Sequence, residues 1–243
     1  MKYGELRSRV CEANRSLGRS GLVVLTWGNV SGIDQDRSIM AIKPSGVSYM
    51  DLQPEDIAVL DIETGRLLDG ALRPSSDTPT HLSLYRNFGE VFGIVHTHST
   101  FATAWAQHQT GIPAYGTTHA DSFHGTVPVT RPLTEEEVAR DYEGETGALI
   151  VDHFRSNDID PAEMPAVLIP FHGPFAWGNS PEGALENVVV LEEVAKIAFY
   201  TGAIQPPAET LPEYFLEKHY QRKHGPRAYY GQARTGKKRR RYE

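Results

Sequence analysis

A chain of 243 residues, 40% hydrophobic and 23% charged, is long enough for one large core and has the composition of a globular domain. It contains no apolar run near the length of a membrane span and no apolar signal core behind Met1. We therefore expect neither a span nor export, and the default location is the cytoplasm. The net charge of -7 argues against non-specific binding to nucleic acid.

The single cysteine limits the possible metal ligands, and the basic C-terminus marks the end of the predicted domain. Cys11 lies on the apolar face of the first predicted helix, where we expect a buried structural thiol. With one cysteine, a metal site must use nitrogen and oxygen ligands. Residues 233–243 hold six basic residues and one acidic residue. We predict a disordered tail there, outside a single domain over 1–232, with binding of an anionic partner as the alternative.

Hydrophobic spacing predicts helices and strands in mixed order along the chain. Leu6, Val10, Ala13 and Leu17 recur on one helical face, so the chain opens on an amphipathic helix. Short apolar runs predict strands at residues 22–26, 39–42, 57–61, 66–68, 92–95 and 166–171. Helices are predicted at residues 2–17, 79–87, 99–108, 134 onward, 180–200 and 212–223.

Two turns carry small residues and a cation that suit an anionic ligand. Gly28 and Asn29 follow the first predicted strand and could expose backbone donors to an anion or simply reverse the chain. After the second strand, Lys43, Ser45 and Gly46 supply a cation, a hydroxyl and an unobstructed N–H, which together suit a phosphate dianion. Lys43 could equally be a solvated lysine at a strand end.

The strongest chemical signal is the segment Gly93-Ile-Val-His-Thr-His-Ser. Alternate residues of a strand point to the same face, so His96 and His98 can direct two imidazoles at one point. The alternative is a pair of histidines hydrogen-bonded to neighbouring carbonyl groups. Asp77 and His172, each beside another polar turn, could supply further ligands. Three histidines, or two with a carboxylate, and an open position are typical of a catalytic divalent cation.

Other polar residues allow two interpretations each. Ser75 and Ser76 lie beside Asp77 and could bind a ligand or cap the next helix. Asp121 lies in a polar loop, where an aspartate is most often a turn former. Glu143 precedes another apolar run.

Seven ordered motifs, spanning about residues 3–232, resemble the class II aldolase and adducin-like family. They are Thr26-Trp-Gly-Asn-Val-Ser, Lys43-Pro-Ser-Gly-Val, Arg73-Pro-Ser-Ser-Asp-Thr-Pro-Thr-His, Gly93-Ile-Val-His-Thr-His, Gly116-Thr-Thr-His-Ala-Asp, His172-Gly-Pro-Phe-Ala-Trp-Gly and Lys218-His-Tyr-x-Arg-Lys-His-Gly-x-x-Ala-Tyr-Tyr-Gly-Gln. Two features depart from the family pattern: Gly144 replaces a common aromatic beside Glu143, and the basic tail has no counterpart.

The resemblance implies an α/β fold of three αβα layers, with a mostly antiparallel central sheet and helices on both faces. It also implies a divalent metal, usually zinc, with manganese or cobalt as alternatives. The implied metal ligands are Asp77, His96, His98 and His172. The implied phosphate cradle comprises Gly28, Asn29, Lys43, Ser45, Gly46, Ser75 and Ser76.

The resemblance further implies that Asp121 and Tyr230 form an acid/base pair. Tyr230 and His219 would reach the site from a neighbouring subunit of a fourfold-symmetric homotetramer. Thr117 and Glu143 would line the site.

The implied activity is that of a metal-dependent epimerase, which inverts C4 of L-ribulose 5-phosphate to give D-xylulose 5-phosphate, as in L-arabinose catabolism. No carbonyl adjoins C4, so inversion requires retro-aldol cleavage, rotation of the aldehyde and re-addition rather than deprotonation. The same residues would also suit a class II sugar-phosphate aldolase or an epimerase for a related pentulose phosphate. A non-enzymatic scaffold of the same fold would lack the histidine ligands.

Overall fold

The computed structural model describes residues 3–205 and 207–229. The predicted catalytic Tyr230 and the basic segment 233–243 lie outside the described residues, so both remain predictions. None of the described helices has the length and apolar character that a bilayer crossing requires.

A seven-stranded sheet forms the middle layer. Its strands are β1 (Asn29–Ile33), β2 (Ile39–Ile42), β3 (Ala58–Asp61), β4 (Leu67–Asp69), β5 (Gly93–His96), β6 (Ala166–Ile169) and β7 (Gly173–Gly178). They lie in the order β4-β3-β2-β1-β5-β7-β6, and every neighbouring pair is antiparallel. The register places Asn29 of β1 opposite His96 of β5, so two polar strand ends meet near the centre of the sheet.

Helices cover both faces of the sheet. They are α1 (Gly4–Arg19), α2 (Thr78–Asn87), α3 (Thr100–His108), α4 (Thr117–Ala120), α5 (Glu135–Ser156), α6 (Pro181–Ala203) and α7 (Glu213–His224). Adjacent residues of β1 face opposite layers. Ser31 hydrogen-bonds His81 of α2, whereas a Cβ on Gly32 would meet Val10 of α1 and Pro181 of α6. The predicted three-layer αβα fold is therefore confirmed.

An aromatic cluster holds α5 against the sheet. The ring of Trp177 on β7 lies 5.2 Å from that of Phe154 on α5 and 5.3 Å from that of Phe88. Such pairs each contribute about 0.5–1.5 kcal/mol beyond the burial of their area. Because β7 pairs with β5, this packing also supports the strand that carries His96.

The helix pair α2 and α5 packs closely on this side of the sheet. A Cβ on Gly147 would lie 2.6 Å from the Cβ of Ser83 and 3.0 Å from the Cα of Thr80, so only glycine permits this crossing. One to two turns earlier, α5 is kinked at Asp141, where φ is -166° and ψ is 84°. The kink immediately precedes Tyr142, which lines the cleft described below.

One predicted strand is wrong. Residues 22–26 form turns, and Leu25 is 80% exposed with a left-handed φ of 54°. The apolar run Leu-Val-Val-Leu has the composition of a strand, but a strand needs a partner with a free edge. β1 is already paired with β2 on one side and with β5 on the other.

Candidate active site

Three histidines converge where β5 ends and where the chain turns from β6 into β7. His96 is the last residue of β5, His98 follows two residues later, and His172 lies in the β6–β7 turn. One ring nitrogen from each lies within 4.8 Å of the others. The Nε2 atoms of His96 and His98 are only 3.0 Å apart. The predicted convergence of these side chains is thus present in the fold.

The hydrogen bonds around two of the rings fix their orientation. The Nδ1 atom of His96 lies 3.0 Å from the carbonyl oxygen of Pro174. A carbonyl can only accept, so this Nδ1 carries the proton and Nε2 presents a lone pair. The ring also stacks on Phe175, with centroids 4.4 Å apart. The Nδ1 of His172 lies 3.0 Å from the hydroxyl of Tyr142.

Burial favours the neutral form of His98 and His172. It lowers the pKa of His172 to about 3, with His96 and His98 adding to the effect. Burial, with His96 nearby, also lowers the pKa of His98. Neutral imidazole is the form that ligates a metal, and lone pairs held this close repel each other unless a cation or proton lies between them. The donor set therefore fits a divalent cation of borderline character such as zinc.

Asp77 lies at the start of α2 on the wall of the same cleft. The Nδ2 of Asn29 donates to its Oδ2 at 2.6 Å and to the Oγ of Ser75 at 3.0 Å. Burial raises the pKa of Asp77, but His96, His81 and this amide outweigh it and hold the pKa below its usual value. Its oxygens are not part of the group of atoms that meets within 4.8 Å, so its role as fourth ligand stays a prediction.

The cleft has a volume of about 540 Å³, which is the size of a small-molecule site. It contains every residue predicted for the phosphate cradle. The lining residues are Thr26, Trp27, Gly28, Asn29, Lys43, Pro44, Ser45, Gly46, Ser75, Ser76, Asp77, His96, His98, Tyr142, Glu143 and His172.

Lys43 is the most unusual member of this wall. It is 1% exposed, and burial lowers its pKa to about 8. Its Nζ contacts the carbonyl of Pro44 at 3.3 Å and lies 4.7 Å above the ring of Tyr49. It forms no salt bridge with any carboxylate in the described part of the chain. A buried cation without a counter-ion is costly and suits an anionic ligand.

Two glycines leave room around the cleft. A Cβ on Gly28, where φ is +78°, would lie 2.5 Å from the carbonyl oxygen of His96, so the loop can lie against β5 only with glycine there. Gly46 has a φ of +71° and no atom within 4 Å of where its Cβ would be. The space beside its Cα is therefore open.

Sequence reasoning missed Tyr142. The residue lies beside Glu143, which was predicted to line the site and does so. Gly144, noted as a departure from the family pattern, is therefore accompanied by an aromatic residue two positions earlier. The kink at Asp141 that turns Tyr142 toward His172 has no sequence signal beyond the adjacent polar residues.

A second polar cluster lies outside this cleft, between α4 and α7. The carboxylate of Asp121 accepts two hydrogen bonds from Arg222, at 3.0 and 2.7 Å, and one from His219 at 3.1 Å. Burial raises the pKa of Asp121, but Arg222 and His219 outweigh it and lower the pKa. Asp121, His219 and Thr117 are absent from the lining of the histidine cleft in the described chain. Within one chain, the predicted site residues therefore fall into two separate groups.

Comparison with known proteins agrees with this geometry. The family model described as Class II Aldolase and Adducin N-terminal domain matches residues 8–199. The L-ribulose-5-phosphate 4-epimerase UlaF of Salmonella paratyphi C (strain RKS4594) is 49% identical over 228 residues, which cover 94% of this chain and 99% of the relative.

Solved structures share the fold. An L-fuculose 1-phosphate aldolase superposes with a TM-score of 0.73 and 26% identity, over 90% of this chain and 95% of its own. The L-fuculose-1-phosphate aldolase of Thermus thermophilus gives a TM-score of 0.66 and 25% identity, over 85% of this chain and 98% of its own. The histidine cleft, the sheet order and these matches agree, and the chain belongs to the class II aldolase and adducin family.

Proposed function

We propose that this chain is a metal-dependent epimerase that interconverts L-ribulose 5-phosphate and D-xylulose 5-phosphate by inversion at C4. The observation that carries the proposal is one cleft that contains three converging imidazoles and a buried lysine without a carboxylate partner in the described chain. The imidazoles suit a cation and the lysine suits a phosphate. The 49% identity to a protein named L-ribulose-5-phosphate 4-epimerase supports this substrate. An epimerase for a related pentulose phosphate is the near alternative.

The metal would be held by His96, His98, His172 and Asp77. Zinc is the first choice for three imidazoles and a carboxylate, with manganese or cobalt as alternatives. A divalent cation held there would supply Lewis-acid chemistry to the sugar. Pro174, through its carbonyl oxygen, and Tyr142, through its hydroxyl, orient two of the ligand rings.

The phosphate cradle has a role beyond binding. Cleavage of the C3–C4 bond divides the sugar into two fragments, and the aldehyde fragment carries the phosphate. Lys43, Ser45 and Gly46, with Asn29 and the two serines before Asp77, would hold that phosphate while the aldehyde turns over. Re-addition to the opposite face then gives the epimer. Without this retention the aldehyde would leave, and the enzyme would act as an aldolase.

Proton transfer requires a group on each face of the aldehyde, and we assign these roles to Asp121 and Tyr230. Asp121 and His219 are hydrogen-bonded to each other within one chain, and neither lines that chain's own cleft. We infer that a neighbouring subunit of a homotetramer supplies Asp121, Thr117, His219 and Tyr230 together. The cytoplasmic location stays a prediction.

Purified, metal-analysed protein should convert L-ribulose 5-phosphate to D-xylulose 5-phosphate. A coupled assay for D-xylulose 5-phosphate would follow the product, and a sample stripped with a chelator and reloaded with zinc would serve as control. Full activity in the demetallated sample, or the absence of product from the zinc-loaded sample, would contradict the proposal.

A sugar-phosphate aldolase is the second candidate, favoured by the fold shared with L-fuculose 1-phosphate aldolase. It would release free glycolaldehyde phosphate from the pentulose. Trapping the aldehyde with an alcohol dehydrogenase and NADH separates the two activities. An epimerase gives only a trace of trapped aldehyde relative to epimer, whereas an aldolase gives stoichiometric aldehyde.

A further inference from the structure

His81 is a completely buried histidine that the proposed reaction does not yet use. It lies on α2 one turn after Asp77, and its backbone N–H donates to the Asp77 carbonyl at 3.1 Å. Its exposed fraction is 0%, and its ring packs edge-on against Phe175, which in turn stacks on His96. His81 is therefore packed behind the metal cleft without lining it.

A chain of hydrogen bonds ends at this ring. The hydroxyl of Tyr85 lies 2.7 Å from the Oγ of Ser31, and that Oγ lies 2.7 Å from the Nδ1 of His81. The backbone N–H of Ile94, a donor, also faces the phenol oxygen and acts to lower its pKa, against the larger effect of burial. All four groups are buried.

The direction of the hydrogen bonds that link Tyr85, Ser31 and His81 follows from the number of hydrogens available. If Tyr85 donates to Ser31, then Ser31 donates to His81, and the Nδ1 of His81 is an acceptor. In the reverse direction the hydrogen of Tyr85 would find no acceptor, because its second neighbour, Ile94, is itself a donor. The forward direction leaves fewer groups unsatisfied, and it places the proton of His81 on Nε2.

That Nε2 is buried and has no partner among the described residues. A helical side chain leans toward the turn before it, so the ring of His81 is inclined toward Asp77 four residues earlier. Burial lowers the pKa of His81 to about 3, and Asp77 is the carboxylate that opposes this shift. Only one oxygen of Asp77, Oδ2, receives the amide of Asn29. A buried donor without an acceptor therefore lies close to a carboxylate that has an oxygen to spare.

We propose that His81 is a positioning residue: in the metal-bound protein its Nε2–H donates to the Asp77 carboxylate and fixes that carboxylate in the orientation in which it serves the metal. This inference rests on the proposed function, since it assumes that the three-histidine cleft binds a divalent cation. Ser31 and Tyr85 act through His81, because they determine which nitrogen carries the proton. Hydrogen bonds of this kind hold a ligand side chain in its coordinating orientation.

Two amide substitutions distinguish the roles of the two ring nitrogens of His81. In His81→Gln the amide nitrogen can occupy the place of Nε2, so a donor toward Asp77 is kept. In His81→Asn the shorter side chain can reach only the Ser31 end. Ser31→Ala, a smaller change, removes the group that fixes the tautomer. The Kd for zinc is measured by competition with a chromogenic chelator, and the absorption spectrum of the cobalt-loaded protein reports the ligand geometry. Thermal unfolding of each metal-free variant tests its fold.

We expect His81→Asn to raise the zinc Kd by about 10- to 100-fold and to alter the cobalt spectrum. His81→Gln should stay within about threefold of the unsubstituted protein, and Ser31→Ala should raise the Kd several-fold with the metal-free fold intact. A zinc Kd unchanged in His81→Asn, or raised equally in His81→Gln, would overturn the positioning role alone. If the unsubstituted protein binds no zinc, the proposed function fails with it. If His81→Asn does not fold, an unchanged Kd in Ser31→Ala still overturns the inference.

Discussion

Two polar regions of the molecule differ in how their buried groups are paired. One is the histidine cleft, and the other is the cluster of Asp121, His219 and Arg222, here called the helix-7 cluster. The cleft keeps one buried polar atom, the Oδ1 of Asn29, without a partner among the described residues. In the helix-7 cluster, both carboxylate oxygens of Asp121 are paired. One region is ready for a ligand, whereas the other already has its ionic partners.

This difference in pairing affects the stability of the ligand-free protein. A buried polar atom without a partner costs about 1–3 kcal/mol, so the cleft lowers the stability of the ligand-free fold. The bidentate pair of Arg222 and Asp121 instead holds α7 against α4. The cleft is also built on strand ends of the sheet, whereas α7 follows a proline-containing segment and has few buried residues. We infer that the cleft binds the sugar phosphate and that the helix-7 cluster positions side chains for a neighbouring cleft.

The largest expected effect comes from removing a ligand in the cleft. His98→Ala should lose bound metal and at least about 10⁴-fold in activity together, because the Lewis acid leaves with its ligand. Metal content by mass spectrometry and the epimerase assay measure the two losses. His108→Ala, which changes an exposed histidine at the end of α3, is the matched control and should change neither. Full metal content and full activity in His98→Ala would contradict the ligand assignment.

The helix-7 cluster should separate metal binding from catalysis. Asp121→Asn should keep its metal and lose about 10²- to 10³-fold in activity, because it removes one proton carrier but touches no ligand. When Asp121→Asn and His98→Ala subunits are unfolded and refolded together, some sites receive an intact cleft from one chain and an intact cluster from the other. Random assembly with two chains per site predicts roughly a quarter of the wild-type activity.

A refolded mixture that stays as inactive as its two parents would contradict the inference that the helix-7 cluster serves a neighbouring cleft. Such a result would mean that Asp121 acts within its own chain or not at all. Each variant refolded alone is the control for recovery during refolding, and the metal content of the Asp121→Asn parent shows that its cleft is intact.

Sequence reasoning could predict the cleft because its chemistry is concentrated in short motifs. His96 and His98 are two residues apart at the end of an apolar run, and His172 ends another. Strand alternation is enough to place such side chains on one face. Five of the seven strands, the long helices and the capping box of Thr134 and Glu137 follow from equally local patterns, whereas β1 and β7 were not predicted.

The rest of the site depends on contacts distant in sequence. Nothing local indicates that α5 kinks at Asp141 and brings Tyr142 to His172 thirty residues later. The pairing of Asp121 with Arg222 spans 101 residues, and the sequence alone favoured a turn former at Asp121. The false strand at residues 22–26 is the converse case, since its composition was suitable but β1, the next strand in the chain, is already paired on both sides.

The smallest expected effect comes from the charge of Lys43. It tests whether the cleft uses this buried cation to bind the phosphate. Its lowered pKa of about 8 means that the ligand-free enzyme has the ammonium below this pH and loses it above. The kcat/KM for the pentulose phosphate should therefore fall as the pH rises through about 8, whereas kcat should not, because the bound phosphate holds the proton in place. Lys43→Met should lower kcat/KM about 10-fold near pH 7 and abolish the alkaline fall. It should also stabilise the ligand-free protein, because a buried charge without a counter-ion is removed. Lys196→Met on α6, outside the cleft, controls for loss of a lysine elsewhere. An alkaline fall that persists unchanged in Lys43→Met would assign it to another group and would show that the cleft does not depend on this cation.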